Sequence, residues 1–572
     1  MNLRHKPVEH SAANWPSDRL LGDGGQHSQF DGMRKPYGLG AILFWGARIM
    51  KTVFGLLAAL SIAWAGQARA EDTLSAATDS GPVVGSQDQG VRQWLGIPYA
   101  AAPVGPLRWQ PPRRPVPWTS PKLTKSYGPE CAQNAELGVF GKAGGSEDCL
   151  YLNVFSPAEA GAGAKPLPVF VWIYGGSLLV GAADDYDPRR LAREGKATVV
   201  TFNYRTGLLG FFAHPDLARR GTPTGNYGLM DQQFALDWVQ RNIAQFDGDP
   251  SNVTIAGESS GGMSVYAQMV SPGSAGKFQT GIAMSGSALA LKYPRFGSSV
   301  PLSDALAKGE AFAKAMKCDT QVLDCLRRLT TAEILAAQGP YTIVRPIIDG
   351  QFLPVDFPDA FKTGRFNKIR LIQGSTRDEA RFFVGLGENG GAAAMTADDY
   401  PKILAGYFGK ELAPAVEREY DLAQFENPSE AYAAAVTDYF FSCPDLAIAR
   451  WIGAKAPVFD YEFADRTAPA YLKPTSYPQA ASHTYELPYL FPGFHGGAGQ
   501  PVALNSPQDR LASAMITLWT HARDIGNSAS GWTPYDPDRD NVLRLSLPAP
   551  AMTSGRYRLT HHCDFWDRSG AY

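Results

Sequence analysis

The chain has 572 residues, with 53 Lys and Arg against 55 Asp and Glu, a formal net charge of −2, 44% hydrophobic residues and 11% aromatics. This balance, with no Lys/Arg block in the main body, lacks the basic stripe that phosphate backbones require, so no nucleic-acid partner is expected. The apolar share fills a large core, while 43 prolines and 59 glycines call for many fixed turns and long irregular connections.

Residues 1–70 read as a leader. From Met50 the run MKTVFGLLAALSIAWAGQARA has a lysine near its start, an apolar stretch over 53–65 and a small-x-small ending at Ala68 and Ala70. That is the three-part layout of a secretory signal peptide, with cleavage expected before Glu71. The apolar stretch is short for a bilayer span, and its ending argues for removal rather than a retained membrane anchor. Residues 1–49 are unlike the n-region of such a peptide, so Met50 is read as the true start. Residues 71–572 are read as a single domain, since no stretch inside them has linker composition.

Over 71–144 the chain is rich in Pro and Gly, and PYAAAPVGPLRWQPPRRPVPW holds too many prolines for a helix, so an edge hairpin followed by loops is expected. Four apolar runs follow: LYLNVF from Leu150, LPVFVWIY from Leu167, ATVVTFNY from Ala197 and NVTIAG from Asn252. Being apolar throughout rather than alternating, they suit strands buried on both faces of a mostly parallel sheet. Between the last two, Leu229, Phe234, Ala235, Trp238, Val239 and Ile243 recur at helical spacing. Further helices are expected at 303–317, 321–337, 398–408, 428–436 and 507–523, and strands at IRLIQG from Ile369 and VFDYEF from Val458. The fold class is α/β, a mostly parallel central sheet flanked by helices, with long loop and helical insertions.

The six cysteines, Cys131, Cys149, Cys318, Cys325, Cys443 and Cys563, are even in number and contain no C-x-x-C pair suited to zinc or redox exchange. Disulfides are therefore favoured over a metal site and over free core thiols. Of the 15 possible connectivities, spacing favours the local pairs Cys131–Cys149 and Cys318–Cys325, leaving Cys443–Cys563 by elimination. With the leader, they point to a secreted or periplasmic protein.

The run Gly257-Glu258-Ser259-Ser260-Gly261 follows the strand NVTIAG and precedes the helix-compatible GGMSVYAQMV. Glycines two places either side of a serine permit a sharp strand-to-helix turn that lifts the hydroxyl clear, which makes Ser259 a candidate nucleophile. A serine hydroxyl needs a base, normally a histidine oriented by a carboxylate, in the chain order serine, acid, histidine. His5, His10, His27 and His214 precede Ser259 and drop out. His521 sits in an apolar-periodic helix and His561 and His562 adjoin Cys563, which leaves the base between His483 and His495. For the acid, IRLIQGSTRDEARFF offers both Asp378 and Glu379 at a strand-to-helix junction. Negative charge on a tetrahedral intermediate needs backbone N–H donors. The two glycines of WIYGGS (172–177) and the N–H of Ser260 are candidates.

Seven ordered blocks, EDCLYLNVF (147–155), WIYGGS (172–177), FNYRTGLLGF (202–211), GNYGLMDQQFALDWVQRNIAQFDGDPSNVTIAGESSGG (225–262), MSGSAL (284–289), RDEARFF (377–383) and SHTYELPYLF (482–491), resemble the type-B carboxylesterase and cholinesterase-like family. The resemblance runs from about residue 80 to the C-terminus. It implies an α/β-hydrolase fold and a serine ester hydrolase that acts on small-molecule esters through an acyl-enzyme, without cofactor or metal. It assigns the nucleophile to Ser259, the acid to Glu379, the base to His483, and the oxyanion donors to Gly176, Ser177 and Ser260. Glu258 matches the acidic neighbour of the nucleophile and Ser285 a serine that supports the acid, and the three cysteine pairs match the family's disulfides. Two departures stand out: the third glycine of the oxyanion motif is Ser177, and the alanine after the nucleophile is Ser260. The backbone donors survive both, and the added side chains are expected to narrow the hole or to bind a substrate oxygen. Competing readings are an adhesion-type binding module that keeps the fold without the chemistry, and an amidase or polyester-degrading enzyme. Substrate pockets are expected from loops around 290–305, 340–365 and 383–440. No oligomeric state follows from these features.

Overall fold

The computed structural model describes residues 74–570 apart from 139, 161–164, 220, 222, 290–298, 497–498 and 528–530. The expected leader, with its start at Met50 and its cleavage point before Glu71, lies outside the described residues. Those that are described belong to one compact unit. Its centre is an eleven-stranded sheet of β1 (Ser86–Asp88), β2 (Val91–Pro98), β3 (Tyr151–Pro157), β4 (Leu167–Ile173), β5 (Thr198–Phe202), β6 (Gly248–Glu258), β7 (Thr280–Met284), β8 (Arg370–Thr376), β9 (Val458–Phe463), β10 (Val542–Leu545) and β11 (Ala551–Thr553). The spatial order is β11-β10-β9-β8-β7-β6-β4-β5-β3-β2-β1. Pairings from β10 to β5 are parallel.

The four apolar runs become β3, β4, β5 and β6, and every residue of β5 and β7 is buried, as burial on both faces requires. β3 departs from the parallel reading, running antiparallel to β2 and to β5. An apolar run reports burial and carries no information on strand direction. The expected edge hairpin forms from Ser75–Thr78 and Gly81–Val84, extended by Lys122–Leu123 into a separate three-stranded sheet. The helix expected at 321–337 is two, Val322–Arg328 and Thr331–Ala337. Thr330 starts the second, its hydroxyl accepting from the Glu333 N–H while Glu333 bonds back to the Thr330 N–H, a reciprocal cap that gives Thr331–Ala337 its own N-terminus. The helix expected at 398–408 continues to Glu419 past a break at Gly409, whose φ of 78° is outside the helical range.

Strand register brings one edge of the sheet into line. Ile173 of β4 pairs with Gly257 of β6, Glu258 with Met284 of β7, and Met284 with Gly374 of β8. β5 lies to one side of β4 and β6 to the other, so the chain changes direction here, and ligands of such sheets bind outside the carboxyl ends at that point. The order of β4, β6, β7 and β8 thus places the residues that follow each strand around one crevice.

Two helices close on this edge. α1 (Tyr227–Asn242) buries the predicted stripe, except that Phe234 is only half-buried. α2 (Ser260–Val270) is buried over all its residues. It reaches the sheet because Gly261, in its first turn, and Gly257, at the end of β6, carry no side chains: a Cβ on Gly261 would lie 2.1 Å from the Ile173 carbonyl oxygen, and one on Gly257 would lie 2.5 Å from the Gly261 carbonyl carbon. Disulfides join Cys131 to Cys149, Cys318 to Cys325 and Cys443 to Cys563. No described helix is long and apolar enough to cross a membrane. The contact at Gly261 makes a sharp prediction. Gly261→Ala drives a methyl into backbone and is expected to lower stability by about 3 kcal/mol or more, read by thermal unfolding, and a loss under about 1 kcal/mol would show that α2 is not seated as described.

Candidate active site

Ser259 sits between the last residue of β6 and the first of α2 with φ 58° and ψ −122°. A non-glycine residue rarely takes this conformation, and it is held from both sides. The Ser259 N–H donates to the Met284 carbonyl at 2.8 Å, and its own carbonyl accepts from the Met263 N–H at 2.9 Å. Ser259 is half-buried and lines a cleft with His483, Glu258, Gly175, Gly176 and Ser177.

The acid and the base arrive from the ends of β8 and from the long loop after β9. α3 (Glu379–Asn389) begins at Glu379, which is fully buried. Glu379 Oε1 accepts the Thr376 N–H at 2.8 Å, and Oε2 lies 2.5 Å from His483 Nδ1. A carboxylate facing Nδ1 makes that nitrogen the donor and leaves the Nε2 lone pair of the neutral ring pointing the other way. Asp378, the other acid candidate, is engaged elsewhere. Both its oxygens accept from Arg466 at 2.9 Å, and its backbone N–H donates to the Ala481 carbonyl at 2.9 Å. Asp378 thus anchors the loop that carries His483, two residues beyond Ala481.

The rings of Phe382, Phe383 and Phe441 surround the His483 imidazole at centroid distances of 5.8, 5.0 and 5.5 Å. Three other histidines have their own settings. His495 Nδ1 faces the Gly493 carbonyl at 2.7 Å, away from the acid candidates, and His521 caps the helix Ser506–Thr520. His561 is buried between Asp438 and Glu462 at 2.5 and 2.9 Å. Burial opposes its charge, yet the two carboxylates push it up to about 9.

Glu258 brings its Oε1 to 3.1 Å from His483 Nε2, without the alignment of a hydrogen bond. Burial, and then the charges of Glu486 and Glu379, hold its carboxyl well above the usual range. Glu486 is also buried, its two oxygens finding no partner outside its own backbone among the described residues, and burial followed by Glu379 raises it likewise. Sequence reasoning passed over Glu486. The available signal was a carboxylate inside the apolar run YELPYLF. Ser285 stands on the left-handed side with φ 50°, and its N–H donates to the Gly374 carbonyl at 2.7 Å. Its buried hydroxyl has no hydrogen-bond partner among the described residues.

The turn after β4 takes left-handed backbone at Gly176 (φ 95°), Ser177 (φ 58°) and Leu178 (φ 59°). Among the described residues no acceptor takes the N–H of Gly176, Ser177 or Ser260. The turn is held by Tyr174 and Tyr204, stacked at 4.3 Å, with each phenol donating to the other's carbonyl at 3.1 and 2.8 Å. Next to Tyr204, Arg205 forms a buried bidentate pair with Asp231 of α1 at 2.7 Å. Removing one partner would strand the other charge in the core at about 3–5 kcal/mol. The blocks FNYRTG and GLMDQQ therefore meet behind this turn.

The rest of the cleft is walled by Leu137, Phe140, Phe382, Phe383, Leu386 and Phe494, with Asp185 and Tyr186 also on its surface. Burial, against the pull of Lys142 3.0 Å away, pushes Asp185 up to about 6. None of the described residues of 340–365 lines the cleft, contrary to the expectation for that loop, and 290–298 lies outside the described residues.

Comparison with known proteins agrees with this architecture. The family model described as "Carboxylesterase family" matches residues 72–566. An acylcarnitine hydrolase of Mus musculus is 34% identical over 506 residues, covering 84% of this chain and 87% of that protein. A para-nitrobenzyl esterase of Bacillus subtilis (strain 168) is 32% identical over 488 residues, covering 82% and 94%. A solved PNB esterase superposes with a TM-score of 0.71 at 30% identity, covering 86% of this chain and 99% of that one. A match across nearly all of the described sheet, with relatives that are themselves esterases, shows that the chain belongs to the carboxylesterase family of ester hydrolases with the α/β-hydrolase fold.

Proposed function

We propose that the chain hydrolyses small-molecule carboxylic esters through an acyl-enzyme on Ser259, with His483 as base and Glu379 as the group that orients it. The observation that carries this reading is the 2.5 Å contact between His483 Nδ1 and Glu379 Oε2 in the cleft that also exposes the Ser259 hydroxyl. His483 Nε2 takes the Ser259 proton as Oγ attacks the ester carbonyl. The tetrahedral oxyanion is met by the free N–H groups of Gly176, Ser177 and Ser260. The imidazolium then returns the proton to the departing alcohol, and a water activated by the same nitrogen cleaves the acyl-enzyme to the acid.

The buried carboxylates beside the base serve this cycle through their protonation. A charged Glu258 would pair with imidazolium and hold Nε2 away from Ser259. Burial next to Glu486 and Glu379 disfavours its charged form and so weakens that pairing. The aromatic walls suit apolar acyl or alcohol groups, and the names of the relatives, acylcarnitine hydrolase and para-nitrobenzyl esterase, bracket a first substrate panel. The three disulfides and the leader support a secreted or periplasmic site of action.

Ser259→Ala is expected to abolish turnover of short-chain aryl esters while the protein keeps its melting temperature. A panel varying acyl length, alcohol bulk and an amide leaving group separates esterase from amidase and polyesterase activity. Retained turnover in Ser259→Ala contradicts the assignment. The two neighbouring acids are told apart by kinetics. Glu379→Gln should lower kcat by ~10³-fold or more, as loss of the orienting carboxylate does, while Asp378→Asn should cost thermal stability and under about tenfold in kcat. The reverse ranking would move the acid to Asp378.

A further inference from the structure

Ser260 stands where relatives in this family are expected to carry alanine, and its hydroxyl is not in the substrate cleft. The side chain is buried, and Ser260 does not line the cavity that holds Ser259 and Ser177. Its Oγ instead accepts the Leu178 N–H at 3.1 Å, across a gap of 82 residues in sequence. The turn is also fixed by the Tyr204 phenol, whose O–H donates to the Tyr174 carbonyl at 2.8 Å.

Leu178 directly follows Ser177, and the two share the left-handed backbone of the turn. The Leu178 side chain is fully buried and its carbonyl accepts the Gly207 N–H at 2.7 Å, so the Ser260 hydroxyl completes the satisfaction of that residue's backbone. A buried N–H left without an acceptor drives local rearrangement. In this turn the rearrangement would move the Ser177 and Gly176 donors.

Resting on the proposed acyl-enzyme chemistry, we infer that Ser260 is a positioning residue for the oxyanion hole. Its backbone N–H is one donor, and its side chain fixes the turn that presents the other two. The two halves of the hole, from the ends of β4 and β6, are thereby set to one another by a single hydroxyl. This replaces the sequence-based expectation that the added hydroxyl narrows the hole or binds substrate.

The test compares wild type, Ser260→Ala and Ser260→Thr in hydrolysis of a short-chain aryl ester and in binding of an aryl trifluoromethyl ketone, which forms a tetrahedral oxyanion on the serine. Deleting an oxyanion donor outright slows catalysis by about 10²–10³-fold, so displacing donors that are still present should be milder. Ser260→Ala is expected to lower kcat about tenfold, with KM within about twofold. The ketone should lose affinity by the same factor, since both report the transition state. Ser260→Thr, which keeps the acceptor, should stay within about threefold of wild type. Should Ser260→Ala not fold, Ser260→Cys carries the same expectation, because a thiol is a weak acceptor of similar shape. A lower melting temperature with unchanged kcat and ketone affinity overturns the inference and makes the hydroxyl purely structural. A rise in KM at constant kcat overturns it in favour of a substrate contact. Absence of hydrolysis in the wild type contradicts the proposed function itself, an outcome distinct from wild-type activity that Ser260→Ala retains.

Discussion

The crowding of three backbones at the carboxyl edge of the sheet governs everything around it. Gly257 at the end of β6, Gly261 in the first turn of α2 and the Ile173 carbonyl at the end of β4 approach so closely that no side chain fits at either glycine. The contact forces the chain to reverse within one residue, and that residue, Ser259, takes a left-handed conformation that costs about 1–3 kcal/mol in isolation. The sheet offsets the strain by satisfying the Ser259 peptide on both sides and by burying the whole of α2. The first N–H groups of α2, like those of any α-helix, have no intrahelical partners, and they begin directly after the Ser259 hydroxyl. The exposure and the anion stabilisation proposed for Ser259 and its neighbours would thus be two results of one packing constraint.

Charge around His483 is arranged by burial more than by pairing. Glu379, Glu258 and Glu486 crowd one small volume, and three ionised carboxylates there would repel strongly at low effective dielectric. Glu258 and Glu486 accordingly sit well above the normal carboxylate range, while Glu379 keeps a backbone donor and the imidazole as partners. The rings of Phe382, Phe383 and Phe441 pack around the His483 imidazole. Asp378, paired with Arg466 and tied to Ala481, makes the position of His483 depend on the helix that begins at Glu379.

Much of the frame was legible because it rests on local patterns. Unbroken apolar runs mark doubly buried strands, and the glycine spacing around Ser259 marks the elbow. Strand direction was not legible at LYLNVF, since burial is indifferent to it. The break at Thr330 was missed because apolar periodicity continues across a cap that only the Thr330 and Glu333 pair reveals. His483 could not be separated from His495 by residues alone. The loop that delivers it has no periodicity, and its path is set by the Asp378 and Arg466 pair, 88 positions apart. Family blocks supplied that choice. They gave no hint of the Ser260 to Leu178 contact, which exists only once β4 and β6 lie side by side.

The central claim is a covalent acyl-enzyme on Ser259 formed by this constellation. Rapid mixing of the protein with a slowly deacylating aryl ester, followed by acid quench and peptide mass analysis, reads it directly. The account predicts a burst of aryl alcohol stoichiometric with enzyme and an acyl mass increment on the peptide bearing Ser259. Turnover without a burst, or an acyl group found on another residue, would contradict it.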